Sequence, residues 1–146
     1  MLNQLYAQLV GTRYGESIRK PATWNPEWER VLFEVARTVR RLVPRTAPVA
    51  LVDKWDPTLL ALCRRKGWHF PDLELSPGGY PSDSDGAIAH LKQLMSRGAA
   101  YLVFPSASFW WLDYYQGFRQ HLDSCHRRLW TDDQCIVYQL LNELGG

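Results

Sequence analysis

Between Asn25 and Pro44 apolar residues return every three or four positions, at Trp28, Val31, Leu32, Val35, Ala36, Val39 and Leu42. That spacing lays one stripe along a helix facing a core. The ends agree with it. Asn25 offers a cap, Pro26 suits the first turn, and Glu27 and Glu29 complement the positive helix end. Arg37, Arg40 and Arg41 load the other end, and Pro44 stops the helix. Upstream, the pattern predicts a short helix over Leu2 to Val10 followed by a polar connection.

After Pro44 the period changes. PVALVD, Pro48 to Asp53, is a short β-branched run followed by Asp56-Pro57, the punctuation of a buried strand feeding a helix through a short loop. LLALCRRK reads as that helix, with Gly67 as its left-handed cap and Trp68 to Phe70 as a second strand. Pro71 to Asp85 is rich in proline and glycine and predicts a long surface loop. GAIAHLKQLMSRG carries Ile88, Leu91, Leu94 and Met95 on one helical stripe, capped by Ser84 or Asp85 and ended by Gly98.

AAYLVFP is the clearest strand. The segment from Ser106 to Cys125 reads as one broken helix or two short ones, with Ser108 as first cap and Gly117 at the break. RRLW and CIVYQLL flank the polar tetrapeptide TDDQ, the pattern of an antiparallel hairpin. Alternating strands and helices predict an α/β fold. The expectation is a mostly parallel, mixed sheet of about five strands, with helices on both faces and a C-terminal antiparallel hairpin. The 146 residues suit a single domain, read as a helical N-terminal extension over 1–46 and a sheet core over 47–146.

Charge and cysteine narrow the function classes. A net charge of +2 is too small for the field of a general nucleic-acid binder. The basic residues are thirteen Arg to four Lys, and Arg suits interfaces and phosphate sites as well as solvated helix faces. Cys63, Cys125 and Cys135 include no CxxC pair, so no disulfide framework or metal site is expected and a reducing, cytoplasmic setting is. No window approaches the roughly eighteen apolar residues of a membrane span, and the N-terminus lacks the basic start of a signal peptide.

One long text pattern adds context. GGYPSDSDGAIAHLKQLMSRGAAYLVFPSASFWWLDYYQGFRQHL at 78–122, the CIVYQL ending, VALVDKWDPTLLAL and WHFP at 68–71 together span roughly residues 48–141. This text resembles a module found beside catalytic domains in bacterial glycosyltransferase and polysaccharide-biosynthesis proteins. The resemblance implies a Rossmann-like sheet and a glycan or cell-envelope setting, and it brings no catalytic residues with it. Where the family pattern has an attached transferase domain, this sequence has a helical N-terminal segment, which would supply a docking surface in a larger assembly.

In open α/β sheets ligands sit beyond the carboxyl ends of the strands. Asp53, Lys54 and Asp56, then His69, then Ser106 and Ser108, would gather there, with Gly78, Gly79 and Tyr80 closing over them. Asp53 and His69 are the acid or base candidates, and Lys54, Asp56, Tyr80, Ser106 and Ser108 the ligand-binding ones. Asp56 and both serines are equally ordinary helix caps or loop groups. The turn VDKWDP has no glycine, which disfavours a dinucleotide site. His121, Cys125, His126 and Cys135 lack paired metal-ligand spacing, and no GxSxG elbow occurs.

Trp110, Trp111, Tyr114, Tyr115 and Phe118 form the densest aromatic cluster and share helical spacing, so most should pack on the sheet. Adjacent tryptophans point apart on a helix, so one should reach the surface. Trp24, Trp55, Trp110, Trp111 and Arg119 are the interface candidates. The expectation is a non-catalytic accessory domain without a cofactor, binding a protein partner or a nucleotide-sugar or glycan ligand. The alternative is a small transferase or hydrolase acting at the strand-end edge.

Overall fold

The computed structural model describes residues 26–53, 57–72 and 79–141. Helix α1 spans Pro26–Leu42 and is followed by strand β1, Val49–Val52, helix α2, Pro57–Cys63, and strand β2, Gly67–Phe70. Helix α3 covers Ser84–Ser96 and strand β3 Tyr101–Pro105. A 3-10 turn at Ser106–Ser108 leads into α4, Trp110–Tyr114, and α5, Gln116–Cys125. The hairpin of β4, Arg127–Thr131, and β5, Cys135–Gln139, ends the described fold. The candidates Trp24, Lys54, Trp55, Asp56 and Gly78, and the expected helix over Leu2 to Val10, lie outside the described residues.

The five strands form one α/β sheet in the order β2-β1-β3-β5-β4. β1 pairs in parallel with β2 (Leu51 opposite His69) and with β3 (Leu51 opposite Val103). β5 then runs antiparallel to β3, and β4 antiparallel to β5. Parallel pairing is thus confined to the three-strand core, and the C-terminal hairpin extends one edge. β1 lies at the centre of that core and every one of its residues is buried, as its unbroken apolar run requires.

Alternation along the strands feeds two cores. Ala50 and Val52 pack with Phe104 and Tyr138 under Leu91 of α3, Trp111 of α4 and Phe118 of α5. Val49 and Leu51 pack on the opposite face with Val103 and Val137, against Leu32, Val35 and Val39 of α1 and Leu59 and Leu62 of α2. Helices therefore cover both faces. Helix α1, expected within an N-terminal extension, is one of these covers and not an appendage. Among the described residues no helix is long and apolar enough to cross a membrane.

Three helix ends depart from the sequence expectation, each for a local reason. Helix α2 stops at Cys63 because Arg64 takes the left-handed conformation at φ 55°. Gly67 is the first residue of β2 instead of the cap. Arg65 consolidates the stop by donating to the carbonyls of Val43 (2.8 Å) and Arg40 (3.2 Å), which ties α2 to the end of α1. Helix α3 is capped by Asp83, which accepts from Gly86 N at 2.8 Å, one residue before the expected caps. The break between α4 and α5 falls at Tyr115, and Gly117 lies inside α5, where its missing side chain admits Ser84.

Candidate functional site

The chain leaves β1 toward α2 on one face of the sheet and leaves β3 toward α4 on the other. Such a divergence between neighbouring parallel strands opens a crevice at their carboxyl ends. A cleft of about 420 Å³ lies there, lined by Asp53 after β1, by Pro105, Ala107 and Ser108 after β3, and by Trp28, Leu32, Leu59, Tyr80, Trp110 and Trp111.

Asp53 and His69 come together as the strand register dictates. His69 sits on β2 opposite Leu51, and its Nδ1 lies 2.8 Å from Asp53 Oδ1. The Asp53 side chain is 12% exposed and that of His69 25%. Asp53 forms part of the cleft wall, and His69 is not among its described lining residues.

Ser108 lines the cleft but is buried, and its hydroxyl donates to the Val52 carbonyl. It fastens the turn after β3 to the end of β1, so it is neither a helix cap nor a hydroxyl facing a ligand. Ser106 does not line the cleft, and its amide donates to Gln134 O at 2.9 Å, locking the turn to the hairpin.

The two tryptophans divide as the helix geometry demands. Trp110 is 39% exposed, whereas Trp111 is 1% exposed and belongs to the core, which removes it as a surface interface residue. Trp111 still closes the cleft floor. Tyr80, 40% exposed, meets Trp110 edge-on at 5.3 Å and Trp111 at 6.0 Å. The segment carrying Tyr80 is held by Tyr115, whose hydroxyl donates to Pro81 O at 2.6 Å. Burial is the main influence raising the Tyr115 pKa, reinforced by Tyr114, Tyr80 and Asp83, so this donor keeps its proton. Arg119 is exposed on α5, 3.9 Å from Asp123, and has no place in the cleft.

Sequence reasoning missed Trp28 and Leu32, which it placed in the apolar stripe of the first helix, and Leu59, which it read only as part of the helix after β1. Trp28 sits in the first turn of α1, and a large aromatic at the end of a helix covering strand termini is the signal that could have found it. His90 was also missed. It is buried in α3, packs edge-on against Phe70 at 4.9 Å, and its Nε2 accepts the Asp72 amide at 2.8 Å, anchoring the chain just after β2. Burial lowers its pKa, against the opposing charge of Asp72.

The cysteines carry no reactive thiol in the core. Burial pushes both Cys63 and Cys135 up to about 12. Among the described residues no group of His, Cys, Asp and Glu could hold a metal ion. Comparison of the chain with protein-family models, with curated proteins and with solved structures finds no match.

Proposed function

We propose that this chain is a non-catalytic accessory domain that binds a small sugar-related ligand in the cleft between the ends of β1 and β3. The observation that carries the reading is the cleft itself. It lies at the switch point of the parallel core, where Rossmann-like sheets bind ligands, and among the described residues four aromatic side chains wall it beside one carboxylate. Aromatic faces suit the C–H face of a sugar, and a carboxylate accepts its hydroxyls. A glycan or cell-envelope role, alongside a protein partner in a bacterial cytoplasmic assembly, follows from the resemblance of residues 48–141 and extends this proposal.

The test is thermal unfolding of the chain with a panel of sugars, nucleotide sugars and nucleosides. A ligand specific to the folded state adds about 2.7 kcal/mol at a hundredfold excess over its Kd, a clear rise in Tm. Trp110→Ala should abolish the rise. A panel without any shift would overturn the reading.

One observation favours a second reading, a small transferase or hydrolase. The 2.8 Å contact between His69 Nδ1 and Asp53 is the kind that orients an imidazole for proton transfer. Ser108 is not available to it as a nucleophile, because its hydroxyl is held by Val52. Turnover of any panel member that disappears in His69→Gln would establish this reading, and its absence would remove it.

A further inference from the structure

We infer that copies of this chain associate head to tail, the arginine-bearing amino edge of one sheet docking on the aromatic and acidic carboxyl edge of the next. The contact does not depend on what the cleft binds.

The strand register draws the amino edge. Gly67, Val49, Tyr101, Gln139 and Arg127 stand in one row across the five strands. The turns that enter this row are tied together, Val49 N donating to Lys66 O at 2.9 Å and Ala100 N to Pro48 O at 3.0 Å. They carry Arg45, Arg64, Lys66 and Arg97, and these residues and Arg127 are all exposed.

The opposite edge carries acids and rings. Asp85 stands in the first turn of α3 and Asp113 on α4. Asp133 lies in the hairpin turn, next to the point where Cys135 stands opposite Pro105 at the end of β3. All three acids are exposed. Among them, the Trp110 ring lies 5.3 Å from Tyr80 and 6.2 Å from Tyr114, which is 68% exposed. The hydrogen bond from Tyr115 to Pro81 O joins the start of α3 to the junction of α4 and α5, and so brings the acids of both helices beside the rings.

Arginine suits such a surface, because its planar guanidinium stacks on ring faces and pairs with carboxylates. The chain makes this contact within itself. Arg128 donates to Asp123 at 2.7 Å and lies 5.5 Å from the centre of the Tyr138 ring. Helix dipoles favour acids at one edge and bases at the other. They do not call for three exposed rings among the acids, which are the anchors an interface uses. The net charge of +2 leaves little long-range repulsion between copies. A two-fold pair of amino edges would set arginine against arginine. The complementary contact therefore joins opposite edges and repeats from copy to copy.

The test is sedimentation velocity of the full chain over a range of concentrations, at low and at high salt. At low salt the sedimentation coefficient is expected to climb with concentration, and high salt should weaken the association at least tenfold. Arg45→Glu/Arg97→Glu spoils the amino edge and Asp113→Ala/Tyr114→Ala the carboxyl edge, so each variant alone should stay monomeric. Mixed in equal amounts, they retain one intact contact between them and should form a pair with one copy of each and nothing larger.

A chain that stays monomeric at low salt overturns the inference, as does association that high salt leaves unchanged. A dimer that survives in either variant alone also overturns it, because it marks a two-fold contact. All four substituted residues are exposed. The salt dependence of the unaltered chain decides the matter if a variant fails to fold.

Discussion

Gly67 and Ser108 are two single positions that hold neighbouring strands together, Gly67 at the amino end of the parallel core and Ser108 at its carboxyl end, in the cleft wall. Gly67 opens β2 opposite Val49, and a β-carbon there would stand 2.1 Å from the Val49 carbonyl oxygen and 2.9 Å from Val49 Cγ2. Neither neighbour has room to retreat, because Val49 is fully buried in the central strand. Gly67→Ala should therefore lower stability by more than about 3 kcal/mol, read as a fall in the urea midpoint with an unchanged slope. Ser108 acts through one hydrogen bond. Removing it in Ser108→Ala leaves the Val52 carbonyl without this donor, at an expected cost of about 1–3 kcal/mol in the same measurement. Because Ser108 holds the turn after β3 against β1, the same variant should also weaken ligand binding in the cleft.

At the scale of elements, two aspartates decide where a helix begins and how the hairpin turns. Asp83 caps α3 through Gly86 N. Asp132 accepts from the amides of Gln134 (2.8 Å) and Cys135 (2.9 Å) and from Trp130 Nε1 (2.8 Å) in the turn between β4 and β5. Asp83→Ala should cost about 1 kcal/mol, the ordinary value of a lost cap. Asp132→Ala should cost more, since three donors lose their acceptor at once, and denaturant melts of the two variants check the order.

The strand positions, the hairpin and the course of α1 were legible because each rests on a local period or a local turn. The stop of α2 was not. It depends on Arg64 adopting a positive φ and on Arg65 reaching carbonyls of another helix, 22 and 25 residues away in sequence. Strand order belongs to the same class of long-range facts, and with it the pairing of Asp53 and His69. Both residues were candidates because they stand at strand ends. That they touch follows only from β2 lying beside β1 in the register Leu51 to His69. The aromatic walls were half legible. Tyr80 and Trp110 stand out as aromatics beside loops, whereas Trp28 falls on the same apolar stripe as the core residues of α1, and only its place in the first turn sets it apart.

For the whole molecule, the titratable groups whose pKa values shift on folding predict a stability that falls on both sides of neutrality. On the acid side, His90 has its pKa lowered from 6.5, so the unfolded chain binds this proton more readily than the folded one. Its contribution is present above about pH 6.5 and is lost as pH falls toward the folded value. Asp123 and Asp132 add a second acid step. For Asp123, burial raises the pKa, but hydrogen bonds from Arg128 and Tyr138 and the charges of Arg128 and Arg119 outweigh it. For Asp132, burial is likewise outweighed, by the donors from Cys135, Trp130 and Gln134 and by Arg41. Both carboxyls end below 3.8, so their stabilisation holds above that value and is lost as pH drops through their folded pKa. On the alkaline side the sign reverses. Burial pushes Cys63 and Cys135 from 9.0, and Tyr138 from 10.0, up to about 12, so the unfolded chain loses these protons first. Urea midpoints measured across pH should form a plateau between about 6.5 and 9, with an acid limb in two stages and a single alkaline limb. His90→Gln should remove the upper acid stage alone and leave the lower stage and the alkaline limb in place. An acid limb unchanged by that substitution would mean that the tie from His90 to the Asp72 amide does not distinguish the folded from the unfolded chain.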